Sequence, residues 1–230
     1  MPPELPPEAP PAPLILAFDT AGAHCAAALL RGTRVLAERI LPMPRGQGER
    51  LFPVLEELLA ATGTDWRALE ALAVGTGPGN FTGIRISVAA ARGLALALGI
   101  PAAGVSGFEA LACGRAGPVL ASIDGRGGRL YLGRIAPGRN PPPLSTRLDA
   151  LPAALPEGFC PPGCTVIGHE AGRIAAALGC ASAEAACSLP VAIGRVAAGR
   201  ALEREPRPAP LYLRPPDAAP ARDAPPALLP

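Results

Sequence analysis

The sequence predicts an α/β protein assembled from two successive, similarly built halves, and three observations lead there. Short apolar runs alternate with stretches in which large aliphatic residues recur at helical spacing, the pattern of strands exchanging with helices. An apolar run that ends in aspartate and enters a glycine-containing turn occurs twice, at Leu14–Asp19 and at Val119–Asp124. Finally, 49% of the 230 residues are hydrophobic while only 3% are aromatic. The chain is long enough for one large domain or two lobes of about 100 residues each, with cores of Ala, Leu, Val and Ile.

The elements follow in order. Leu14 to Phe18 reads as a buried strand ending at Asp19-Thr20. Cys25 to Leu30, the turn Arg31-Gly32, and Val35 to Ile40 complete a three-stranded meander. Leu51, Val54, Leu55, Leu58 and Leu59 then mark a helix that Gly63 closes. Leu69 to Val74 is a further strand, running into Gly75-Thr76-Gly77-Pro78-Gly79-Asn80-Phe81-Thr82-Gly83. A second helix spans about Thr82 to Leu98 and stops at Gly99-Ile100-Pro101. Ala89, Gly93 and Ala97 form a column of small residues along it. Mid-helix glycine costs about 1 kcal/mol against alanine, so this column implies close helix packing, within the chain or against another.

The second half opens with a strand near Val105, a helix from Phe108 to Cys113, the strand Val119 to Asp124 and a return strand from Leu130 to Ile135. Ala136 to Pro162 is proline-rich and reads mainly as loop. Val166 to Gly168 is a strand, Ile174 to Leu178 helical, and a last helix covers about Val191 to Leu202. Residues 1–13 carry seven prolines and residues 206–230 nine. Proline withholds a backbone donor, so the expected division is a disordered tail over 1–13, lobes over 14–106 and 107–214, and a proline-rich tail over 215–230. Within the last stretch, Leu211-Tyr212-Leu213 is an apolar island able to dock.

Composition narrows function. All 21 basic residues are arginine, so Schiff-base lysine chemistry and a P-loop lysine are excluded. Net charge is +2 and evenly spread, eight Arg against seven acids over 14–106 and ten against eight over 107–205. No basic stripe tracks a phosphate backbone, and contact with nucleic acid is expected only through a partner. Arg85 and Arg92 interrupt the most apolar stretch, Ile84 to Ile100, so no membrane span is expected. The N-terminus has neither a basic nor an apolar signal region, and the reading is cytoplasmic. The six cysteines, at 25, 113, 160, 164, 180 and 187, lack the paired spacing of a zinc ribbon and read as buried thiols.

Several residues carry possible chemistry. Gly77, Gly79, Asn80, Phe81 and Thr82 lie between a strand and a helix, where free N–H groups can cradle an anion. The same glycines also suit a tight turn into a helix, and the pattern alone favours the turn. Asp19, Thr20 and Asp124 stand at strand ends, placed either to hold a magnesium–nucleotide or to cap turns. His24 and His169, far apart in sequence, form no helical ligand pair, and no metal site is expected. Ser87 and Ser106 have no neighbouring His in sequence, and no nucleophile elbow occurs.

Ile15-Leu16-Ala17-Phe18-Asp19-Thr20, Gly77-Pro78-Gly79-Asn80-Phe81-Thr82-Gly83-Ile84-Arg85, Ile123-Asp124-Gly125-Arg126 and Pro210-Leu211-Tyr212-Leu213-Arg214 resemble, in this order, the TsaB (YeaZ) family. The resemblance implies an actin-like ATPase (ASKHA) fold of two ribonuclease-H-like lobes with mixed sheets flanked by helices. It implies a non-catalytic dimerisation subunit that pairs with and activates TsaD, with TsaE joining, for threonylcarbamoyl transfer to N6 of adenosine 37 in tRNAs reading codons that begin with A. It implies no cofactor beyond a weak ATP or ADP contact in the assembly, and a homodimer is compatible with the chain alone. TsaD holds its metal with histidines on the helix after the meander. The matching stretch here, Arg45 to Pro53, has none. Family pairing uses the two helices of the first lobe, which assigns an interface to Leu51, Phe52, Leu55, Leu58, Ala89, Gly93 and Ala97. The alternatives are a stand-alone nucleotide-dependent phosphotransferase and a glycoprotease-like peptidase.

Overall fold

The computed structural model describes residues 12–213, so the expected tails fall outside the described residues except at Ala12 and Pro13. Pro13 is tied down, its carbonyl accepting from the Gly32 amide at 2.8 Å. The first half comprises β1 (Leu14–Asp19), β2 (His24–Arg31), β3 (Arg34–Pro42), α1 (Gln47–Ala61), β4 (Ala71–Gly75), α2 (Phe81–Leu98), β5 (Ala102–Val105) and α3 (Gly107–Ala112). The second comprises β6 (Val119–Asp124), β7 (Arg129–Ile135), β8 (Leu144–Arg147), β9 (Thr165–Gly168), α4 (Ala171–Leu178), β10 (Ala181–Ala183) and α5 (Leu189–Ala198).

The two five-stranded sheets have one topology. Strand order is β3-β2-β1-β4-β5 in the first and β8-β7-β6-β9-β10 in the second. In each, an antiparallel meander is extended by two parallel strands. The repeated strand–Asp–turn in the sequence is therefore the first strand of each sheet. One element differs. Where α1 stands in the first half, the second has a short 3-10 turn at Leu148–Ala150 and further turns. β8 forms within the stretch expected to be mainly loop, and β10 in a segment with no expected element; both are edge strands of three or four residues, too short for a visible alternation.

Each central strand is buried on both faces, which is why it reads as an unbroken apolar run. Leu14, Leu16 and Phe18 of β1 meet α1 and α2, while Ile15 and Ala17 meet Val191, Ala192 and Ile193 of α5. That last contact cuts across the expected lobe boundary, because α5 packs on the first sheet although it follows the second. Conversely α3, which follows the first sheet, sets Phe108 into the core under the second. The halves thus exchange their last helices, and Arg200 fastens the exchange. Its guanidinium donates to the Gly104 carbonyl at 2.8 Å and to Glu205 at 3.3 Å, and it pairs with Glu109 of α3.

By length and composition α2 is apolar enough to cross a membrane, against the sequence expectation, although no other helix among the described residues is. Ile84, Ser87, Val88 and Ala91 bury one face of it in the protein, and the apolar residues of the other face lie open.

Candidate functional site

Two features of this frame invite function: a cleft between the sheets and the open face of α2. The cleft, about 860 Å³, lies where the carboxyl ends of β1, β4, β6 and β9 face each other, the usual ligand position in open α/β sheets. Asp19, Gly77, Gly79, Asn80, Phe81, Thr82 and Asp124 all line it, so the structure brings the two predicted loop and acid sets together. Thr20 is completely buried instead, its hydroxyl donating to the Gly83 carbonyl at 2.6 Å.

Both aspartates cap turns. Asp19 Oδ1 accepts from the Ala21 amide at 2.9 Å, and Asp124 Oδ1 accepts from the Arg126 amide at 2.8 Å, each two residues on. They differ in burial. Asp19 is 2% exposed and Asp124 is open to solvent. The buried carboxylate has a partner that sequence reasoning missed: His24 Nε2 lies 2.7 Å from Asp19 Oδ1. His169 also lines the cleft, its amide donating to the Ser122 carbonyl at 2.8 Å. The two histidines, distant in the chain, therefore share one cavity. The signal that could have placed His169 there is its position directly after Gly168, at the end of the strand equivalent to β4.

The glycine-rich loop is explained by close approach. A β-carbon at Gly79 would stand 2.5 Å from the Ala21 carbonyl oxygen, and one at Gly83 would stand 2.0 Å from that of Thr20. Gly77 adopts φ +90°, which L side chains rarely do. These glycines let the β1–β2 turn rest directly on the start of α2. The helix N-terminus is capped from within, since Asn80 Oδ1 accepts from the amides of Thr82 at 3.0 Å and Gly83 at 3.2 Å.

The far wall belongs to the apolar island. The Leu211 amide donates to the Thr76 carbonyl at 2.8 Å, and Leu211 and Leu213 join the core beneath the second sheet. Tyr212 stacks on Phe81 with ring centroids 4.8 Å apart, and its hydroxyl accepts from Arg85 Nε at 2.8 Å. Arg85 in turn lies 3.8 Å over the Phe81 ring. Several groups that a magnesium–nucleotide would use are already engaged, Asp124 alone being open. The buried acid is matched by an imidazole and an amide, the first N–H groups of α2 are spent on Asn80, and no lysine exists to meet a phosphate. Among the described residues no three His, Cys, Asp or Glu side chains converge so as to hold a metal ion.

The second feature corrects part of the expected interface. Leu51, Leu55 and Leu58 are at most 3% exposed and pack with Leu16, Phe18 and Leu29 in the chain's own core. They present nothing to a second protein. Their neighbour Phe52 is 43% exposed, and Ala89, Gly93 and Ala97 all lie on the open side of α2. A β-carbon at Gly93 would meet no atom within 4 Å. Leu96 beside the column is 85% exposed.

Known proteins place this geometry. Over 210 residues, 90% of the chain, it is 33% identical to an uncharacterised protein of Mycobacterium tuberculosis, of which it covers 94%. Over 122 residues it is 42% identical to the tRNA threonylcarbamoyladenosine biosynthesis protein TsaB of Escherichia coli. A Pseudomonas aeruginosa crystal structure described as similar to the peptidase YEAZ superposes with TM-score 0.67 at 27% identity, covering 88% of this chain and 100% of that one. The chain belongs to the TsaB/YeaZ family. The match to E. coli TsaB takes in 51% of this chain and about half (52%) of that protein. Residues 42–140 also match the family model of TsaD, tRNA N6-adenosine threonylcarbamoyltransferase. The actin-like ATPase fold expected of a TsaB/YeaZ member is met by the paired sheets, and component A of the Acidaminococcus fermentans (R)-2-hydroxyglutaryl-CoA dehydratase shares that fold at TM-score 0.52 and 10% identity, over 82% of this chain and 97% of that one.

Proposed function

We propose that this chain is a non-catalytic subunit that pairs with TsaD through the open face of α2 and activates it for threonylcarbamoyl transfer to N6 of a tRNA adenosine. The observation that carries the reading is the small-residue column Ala89, Gly93, Ala97, which lies bare although a mid-helix glycine costs about 1 kcal/mol unless a close neighbour repays it. Leu96 and Phe52 extend the open apolar surface. The match of residues 42–140 to the TsaD family supports a partner of related build, and the name of the E. coli relative supports the pathway. Pairing of like helices would form a four-helix bundle, and two copies of this chain can use the same face when TsaD is absent. TsaE and tRNA reach the chain through the assembly, in the cytoplasm. The chain binds no nucleotide by itself, and ATP or ADP touches it only in the complex. Calorimetry with Mg-ATP checks this; a saturable heat with the isolated protein would overturn it.

Gly93→Leu tests the interface cleanly, because the side chain meets nothing in the chain itself. Overpacking a close helix contact costs about 1–3 kcal/mol, so co-purification with TsaD is expected to fall roughly tenfold or more while the melting temperature is not lowered. Undiminished complex yield would refute the pairing surface.

The description of the P. aeruginosa structure suggests a second reading, a peptidase. Against it stands the lack, among the described residues, of converging metal-ligating side chains. Peptide hydrolysis by the purified chain would favour it instead.

A further inference from the structure

Cys160, Cys164 and Cys180 pack together in the core that Val166 of β9 and Ile174 and Ala175 of α4 form on the second sheet, and none of them lines the cleft. Cys160 and Cys164 bracket the turn Pro161-Pro162-Gly163, and Cys180 follows the end of α4; together they line a small surface pocket. The Sγ atoms of Cys160 and Cys180 lie 3.1 Å apart, only about 1 Å beyond a disulfide bond length. Both residues are half-buried, whereas Cys164 is 3% exposed. Backbone bonds order the segments that carry them. The Cys164 amide donates to the Pro161 carbonyl at 3.1 Å, closing one turn. On the other side Gly179 caps α4 at φ +66°, and the Cys180 amide donates to the Ala175 carbonyl at 2.9 Å. Little movement separates two free thiols from a linked pair.

We propose that Cys160 and Cys180 form a thiol–disulfide site that small-molecule disulfides oxidise. One protein thiolate attacks a sulfur of the small disulfide, forming a mixed disulfide and releasing one small thiol. The second protein thiolate then attacks the protein sulfur of that mixed disulfide and expels the other small thiol. In sum the protein gives up two electrons and two protons, one S–S bond forms between Cys160 and Cys180, and the oxidant's S–S bond becomes two thiols. Burial, then the neighbouring Cys180 and Cys164, push the Cys160 thiol well above its usual value, so the exchange is slow at neutral pH and quickens under alkaline conditions. The link ties α4 to the loop before β9, across a sequence separation of 20 residues. It restrains the unfolded chain and raises the thermal midpoint.

The test uses the full chain, reduced, desalted and incubated with oxidised glutathione at mildly alkaline pH. Two of the six thiols are expected to become untitratable in denaturant, and the intact mass to fall by two hydrogens. Tryptic digestion without reductant should then yield peptides 148–173 and 174–195 joined, with fragmentation placing the bond at Cys160 and Cys180. Cys164→Ser should retain the link. Cys180→Ser should instead keep a glutathione adduct on Cys160. Six titratable thiols after incubation, a bond through Cys164 or Cys187, or a lasting glutathione adduct on the wild type would each overturn the site. The wild-type peptide map decides the matter even where a variant folds poorly.

Discussion

Gly83 and Gly93 stand on the same helix, yet a methyl group added to each has opposite consequences. At Gly83 it would drive into the Thr20 carbonyl, a backbone atom that cannot swing aside, and we expect a loss of about 2 kcal/mol or more. At Gly93 it would meet open space and relieve helical glycine, and we expect a gain of up to about 1 kcal/mol. Urea midpoints of Gly83→Ala and Gly93→Ala read the difference directly; equal midpoints would contradict the packing of the β1–β2 turn on α2. Cys25 supplies a pH prediction. Its thiol is wholly buried, and burial raises it from its usual 9.0 to about 11, with Arg50 opposing and Asp19 assisting. The unfolded chain therefore releases this proton first. The contribution is complete below about pH 9 and is lost as pH rises towards 11, by roughly 1.4 kcal/mol per unit at most. Cys25→Ala should flatten that part of the alkaline stability curve, seen in urea melts at stepped pH. The residues of the glycine loop were legible in the sequence, but their reason was not, because the Thr20 and Ala21 carbonyls they accommodate come from a distant turn.

Among the elements, α2 shows most plainly what periodicity can and cannot say. Its span and its Gly99 stop were readable, as was its column of small residues. Which side of the helix met the sheet was not, because alanine, glycine and serine populate both. The same holds for α1, whose leucine stripe was visible but whose partner turned out to be this chain's own β1 and β2. In α1 the leucines and Val54 go to the sheet, where burial gains most, whereas α2 turns Ile84 and Val88 inward together with the small Ser87 and Ala91 and leaves Leu96 outside. Asn80 starts α2, and Asn80→Ala should cost about 1 kcal/mol by freeing the Thr82 and Gly83 amides, with Asn80→Asp retaining the cap. Thermal melts of the two variants distinguish capping from loss of bulk; identical melts would sink the assignment. The second half lacks a counterpart of α1 for a reason the sequence does state: prolines at 141–143, 152, 156, 161 and 162 withhold helix donors.

At the level of the whole molecule, the exchange of α3 and α5 makes the two sheets a single folding unit. Arg200 joins the strand β5, helix α3 and the segment after α5 through three acceptors, and its side chain is only 20% exposed. Arg200→Met keeps the length and removes the donors, leaving Glu109 and Glu205 without their cation. We expect a loss of about 2 kcal/mol with the unfolding transition still single. Two separate transitions in calorimetry would show instead that this residue alone couples the halves. The cleft is likewise a property of the whole. His24 and His169 enter it from opposite sheets, and Tyr212 closes it from the end of the described chain.

By itself the sequence determined the order of the elements apart from β8 and β10, the doubling of the α/β unit and the absence of lysine chemistry, because local periodicity, turn residues and composition are written in consecutive residues. Tertiary structure alone decided which helix covers which sheet, which acid is buried beside an imidazole, and which face of α2 stays open. Those outcomes depend on contacts between segments far apart in the chain, where the competition for buried apolar area is settled by the assembled shape and leaves no mark on any single stretch.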